Sequence, residues 1–181
     1  MAVLVEAISV VIRIDALLPA FGGALDAFRA EVPNDTLCAD RELARVGFMV
    51  PDDTRQFVER LAGRGLVYLA DGKARDLVVV DQQRGPAVAC DWIEFGHVAM
   101  DGDPSRRVAC CRLAGSKQTT LATPPGWSFE RSLSSSFGFS PTAAVPQSLD
   151  FLRHERGFDV YRSRLTGEEV FVGRVCGPMS D

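Results

Sequence analysis

Residues 3 to 14 form an apolar run in which Val and Ile dominate and polar residues hardly alternate. β-branched density of this kind predicts one strand buried on both faces, central in its sheet. Asp15 then caps a short helical turn through Phe21, limited by Pro19, and Gly22-Gly23 separates that turn from a second helix. In the second helix Leu25, Phe28 and Val32 recur at the three-to-four-residue spacing of one buried face, and Pro33-Asn34 ends the pattern.

The run ELARVGFMV, residues 42 to 50, predicts a strand at its C-terminal half, bounded by Pro51. A further helix follows. Asp52 or Asp53 is its expected cap, Phe57, Val58 and Leu61 form its apolar stripe, Arg55 and Glu59 lie on its wet face, and Gly65 ends it.

Beyond this helix the pattern changes to short β-prone runs at 66–69, 77–80, 91–95, 108–113 and 118–122, separated by Gly-, Pro- and Asp-rich turns. These predict a meander of antiparallel strands. Residues 132 to 140 have no period and read as a loop. The C-terminal run from Phe158 predicts a hairpin about Thr166-Gly167, with Arg164 facing Glu169 and Tyr161 facing Val172.

The predicted class is α+β, with an antiparallel sheet and two principal helices in the N-terminal half and extra β-hairpins in the C-terminal half. A ferredoxin-like α/β sandwich in residues 1 to 100, extended by strands in 101 to 181, fits the element order within a single domain of 1–181. A chain of 181 residues can bury roughly 70% of the surface of its unfolded form, enough for one sizeable core.

Charge narrows the partners. Twenty Lys and Arg against twenty-four Asp and Glu leave a net charge of −4, which disfavours nucleic acid. The opening apolar run is interrupted by Glu6 and Arg13 and carries no basic leader, and no later run approaches a membrane span, so neither a signal peptide nor membrane insertion is expected. Five cysteines are an odd number without a paired framework, which points to buried thiols in a reducing cytoplasm.

The segment CDWIEFGH, Cys90 to His97, carries the candidate chemistry. As an extended strand it would put Cys90, Trp92 and Glu94 on one face and Asp91, Ile93, Phe95 and His97 on the other. A carboxylate beside Trp92 would be partly desolvated and its pKa raised, which suits Glu94, or Asp91, to act as a general base with His97 assisting. The competing reading places Glu94 in an ion pair with Arg107 or Arg112 across the sheet. Pro124-Pro125-Gly126-Trp127 predicts a stiff turn that folds Trp127 back on the sheet. Trp92, Trp127 and Phe129 would then wall a pocket with Glu94 as its polar anchor.

Zinc-ligand pairs, a P-loop, a dinucleotide turn and a nucleophile elbow are missing from the sequence, so no metal or cofactor is expected. The first expectation is therefore a non-catalytic binding or protein-interaction module, for instance an acidic protein that blocks a basic partner enzyme. The alternatives are a small-molecule enzyme centred on Glu94 and an assembly subunit that pairs with another copy through an edge strand.

Overall fold

The computed structural model describes residues 1–117, 120–136, 149–155, 158–163 and 169–173. The architecture is mixed α+β with largely antiparallel sheets. The first apolar run does not form one strand. It divides into β1 (Ala2–Val5) and β2 (Ile8–Arg13), which belong to different sheets. The break falls at Glu6-Ala7, where Ala7 adopts φ 47°. Gln82 clamps this residue from both sides: its Oε1 accepts the Ala7 N–H at 2.8 Å and its own N–H donates to the Ala7 carbonyl at 2.9 Å.

After β2 come α1 (Ile14–Ala20) and α2 (Leu25–Arg29), separated by Gly22 and Gly23, both at positive φ. Helix α2 stops before Val32, earlier than its apolar spacing predicts. The hairpin β3 (Cys38–Ala39) and β4 (Leu43–Phe48) leads to α3 (Pro51–Gly63). The cap expected from Asp52 or Asp53 is not formed. Val50 is the N-cap, Pro51 opens the helix with its fixed φ, and both aspartates sit in the first turn, where they favour the positive end of the helix. Arg55 pairs with Asp52 rather than with Glu59. Gly65, at φ 93°, follows the helix end as expected.

The small hairpin β5 (Leu69–Ala70) and β6 (Lys73–Ala74) turns at Asp71-Gly72 and is followed by β7 (Leu77–Asp81) and β8 (Gly85–Pro86). Then come the long hairpin β9 (Ile93–Met100) and β10 (Asp103–Leu113) and the short β11 (Leu121–Ala122). The β-prone runs do not make one meander. β7 and β8 join a five-stranded sheet of order β3-β4-β2-β7-β8, whereas β9 and β10 join a four-stranded sheet of order β11-β1-β10-β9. Strands from both sides of residue 100 therefore share one sheet.

Alternation along the five-stranded sheet divides the core in two. Val10, Ile12, Ala44, Val46 and Leu77 face the helices and pack on Leu17, Phe28, Phe57 and Leu61. Val11, Leu43, Val78 and Val80 face the second sheet and pack on Val3, Val5, Ala109 and Cys111. The layers run helices, five-stranded sheet, four-stranded sheet. In this arrangement β2 is buried on both faces, which accounts for its largely apolar sequence, with Ser9 buried against Arg45.

Part of the segment read as a loop is helical: a 3-10 turn at Phe129–Arg131 leads to α4 (Leu133–Ser136), and 137–140 lie outside the described residues. The C-terminal strands β12 (Leu149–Glu155), β13 (Phe158–Ser163) and β14 (Glu169–Gly173) form a three-stranded antiparallel sheet. Its register corrects the expected hairpin. Tyr161 faces Val170, Arg162 faces Glu169, and Val172 faces Asp159. Arg164 and the Thr166-Gly167 turn lie outside the described residues.

Candidate functional site

The predicted site residues divide between the start of β9 and the segment that follows β11. The regular strand begins at Ile93, so Trp92 stands at its threshold, half-buried against the inter-sheet core, and its indole N–H donates to the Ala74 carbonyl at 3.0 Å. Asp91 is exposed and paired with Lys73 at 3.2 Å.

Glu94 is also on the surface, directly opposite Arg112 in the β9–β10 ladder. Its Oε2 accepts from Arg112 Nε at 2.7 Å and its Oε1 from the Gly115 N–H at 3.1 Å. The Gly115 amide and then Arg112 hold its pKa below the ordinary glutamate value. This corrects the raised pKa expected from a neighbouring tryptophan: the carboxylate is solvated and fully engaged, the opposite of a poised proton acceptor. The cross-strand reading is the one realised, with Arg112 and not Arg107 as partner.

His97 is half-buried on the other face of β9, its ring edge-on to Phe95 with centroids 5.2 Å apart. Burial lowers its pKa, a hydrogen bond to the Gln82 backbone opposes that shift, and Arg107 adds to it. Glu94 and His97 thus project to opposite faces of one strand and cannot act on one substrate atom.

Trp127 does fold back, through a turn in which its N–H donates to the Pro124 carbonyl at 3.1 Å. The acid it meets is Glu6 and not Glu94: the Trp127 indole N–H reaches Glu6 Oε2 at 3.2 Å. Phe129 lies under the Arg106 guanidinium, 5.1 Å from ring centroid to Cζ, and Arg106 also binds Asp101 and Glu130. Trp92 and Trp127 thus have separate polar partners, the Ala74 carbonyl and Glu6, and neither indole donates to Glu94.

The concentrated polar chemistry lies elsewhere, at the β1–β2 break. Glu6 is 9% exposed, and its Oε1 accepts from both the N–H and the hydroxyl of Ser134, at 3.0 and 2.6 Å. Its backbone carbonyl accepts from Arg45 Nη2 at 2.9 Å. Arg45 is 2% exposed and lies between the sheets, where Nε donates to Ser9 Oγ at 2.8 Å and Nη1 to the Thr36 carbonyl at 3.3 Å. Burial pulls its pKa downward and Cys38 and Glu6 oppose the pull, but arginine remains a cation under all ordinary conditions. Three neutral oxygens in a fixed fork satisfy this buried charge, with the Glu6 carboxylate as a more distant counter-charge.

That cluster ties the β1–β2 break to β4 and to α4. The pKa of the neighbouring Cys38 thiol is pushed up by burial, against the opposing pull of Arg45. Cys90, Cys110 and Cys111 are likewise free thiols pushed up by burial. Glu6, Arg45, Gln82 and Ser134 were not singled out by sequence reasoning. The available signal was a lone charge inside a run otherwise apolar enough to be buried on both faces, as in LVEAIS and LARVG.

An open depression of about 630 Å³, lined by Pro33, Gln56, Glu59 and Arg60, lies beside the polar face of α3, and none of the predicted site residues lines it. Three of its four lining residues, Gln56, Glu59 and Arg60, are polar, and none is aromatic, unlike the walls of a typical small-molecule site. Among the described residues no helix is long and apolar enough to cross a membrane. Comparison with family models, with curated proteins and with solved structures gives no match to this chain.

Proposed function

We propose that this chain is a non-catalytic protein-interaction module that engages its partner through the edge strand β9. The observation that carries this reading is the engagement of Glu94 by Arg112 and Gly115, which removes the best general-base candidate from chemistry. β9 spans eight residues and has a hydrogen-bonded strand neighbour on its β10 side alone, among the described residues. Val98, in its middle, is 39% exposed. An edge of this length is a template for strand addition by another chain, including a second copy of this one.

Net acidity does not choose the partner in this reading. Exposed carboxylates such as Asp15, Asp52, Asp91 and Asp101 each have a basic neighbour, so the surface alternates in sign. The strand order β3-β4-β2-β7, with helices in both crossovers, favours a ferredoxin-like sandwich as the scaffold. The free thiols favour a reducing, cytoplasmic setting.

The test is affinity capture from the native host with wild-type and Val98→Lys baits. A lysine on the edge discourages strand addition while leaving the fold intact. The proposal expects a protein retained by the wild type and lost from the variant. Equal retention by both baits, or no specific retention, overturns it.

A further inference from the structure

We propose that residues 123–136 form a strap that opens as a unit while both sheets stay folded, and that the Glu6 carboxylate is its latch. The strap crosses the four-stranded sheet, with Trp127 and Phe129 against the core that contains Leu4 and Val108. Its fastening is mostly polar. The 3-10 turn Phe129–Arg131 buries no residue, Trp127 and Phe129 are only half-buried, and the well-buried strap residues are Ser132 and Ser134. The turn bonds made by the Trp127, Arg131 and Ser132 amides are local to the strap.

Among the described residues, its polar attachment to the body is concentrated at two places. Three hydrogen bonds, from Trp127 Nε1, Ser134 N and Ser134 Oγ, converge on the Glu6 carboxylate. At the surface, Arg106 of β10 holds Glu130 at 2.6 Å and covers Phe129. Beneath the strap, Leu4 and Val108 are fully buried in a core continuous across both sheets. A segment with few buried apolar contacts, resting on a core with many, opens at lower free energy than the core unfolds. Because bonds to a charged acceptor are stronger than neutral ones, one carboxylate can govern that opening.

Glu6 also accepts from Arg45 through its backbone carbonyl, so strap position and the buried guanidinium share one residue. The inference is independent of the β9 reading, since its test needs no partner.

Amide hydrogen exchange on the full chain is the test, with Trp127→Phe and Ser134→Ala variants that each remove one donor to Glu6. In the wild type the Ser134 amide is expected to exchange faster than the amides of β2, β4 and β10. Each variant should accelerate exchange across 127–134 by about tenfold, the effect of losing one net hydrogen bond of about 1.4 kcal/mol, with the sheets unchanged. Strap and sheet amides exchanging at one common rate in the wild type would overturn the proposal, as would variants that accelerate both equally.

Discussion

The Arg45 guanidinium lies so close over Gly47 that a β-carbon there would fall 2.5 Å from Nη2 and 2.8 Å from Cζ. The guanidinium cannot swing aside, because Ser9, the Glu6 carbonyl and the Thr36 carbonyl hold it from three directions. Gly47→Ala should therefore destabilise by about 1–3 kcal/mol, the usual cost of overpacking a fixed core, although alanine is otherwise acceptable in a strand. Arg45→Ala should cost about 3–5 kcal/mol, since it leaves a cavity and unsatisfied buried acceptors. Arg45→Met, which fills the volume without a charge to desolvate, should cost less than Arg45→Ala. Urea unfolding midpoints at constant slope check all three.

Ala7 occupies the left-handed region without being glycine, and it is 5% exposed. Ala7→Gly relieves a strain of about 1–2 kcal/mol and adds unfolded-state entropy of about 0.5–1 kcal/mol, so its net effect should be neutral to slightly stabilising. Ala7→Val brings a β-branched side chain to the same φ in a packed site and should destabilise by at least about 2 kcal/mol. Thermal melts should place Ala7→Gly at or slightly above the wild type and Ala7→Val below it.

Glu94 is depressed below its usual pKa of 4.5, so the stability it contributes is present above that pH and lost as pH falls through the lowered folded-state value. Wild type and Glu94→Gln should differ slightly at neutral pH and converge in strong acid. Because the pair is exposed, added salt should shrink the neutral-pH difference. A difference that grows on acidification would contradict the ion-pair assignment.

His97 has the same sign by a different route. Burial lowers its folded-state pKa below 6.5, so the unfolded chain binds the proton more readily and stability falls as pH drops from neutral through the folded value. His97→Gln should flatten that part of the stability profile. Following the His97 ring by NMR should give a midpoint below 6.5, and a midpoint above it would contradict the burial argument.

Local signals were legible where one interaction decides the outcome. The stripe of Phe57, Val58 and Leu61 fixes α3, and the Asp-Gly pairs at 71–72 and 101–102 turn their hairpins through left-handed φ values. That Glu94 meets an arginine across the hairpin was readable, but the choice of Arg112 over Arg107 was not, because the ladder shifts register between Asp103 and Arg107. The division of residues 3–14 was not readable, since strands buried on both faces have no period to interrupt. Glu6 and Arg45 escaped for a related reason. Their partners come from Ser9, Thr36, Trp127 and Ser134, which only the tertiary fold assembles, and a charge in an apolar run carries no mark of where its acceptors lie.

Amide exchange of the chain alone and saturated with its captured partner asks whether β9 is the contact strand. If it is, new protection appears across Ile93–Met100 while exchange in α3 is unchanged. Protection confined to other elements, with β9 exchanging as it does in the free chain, would contradict it.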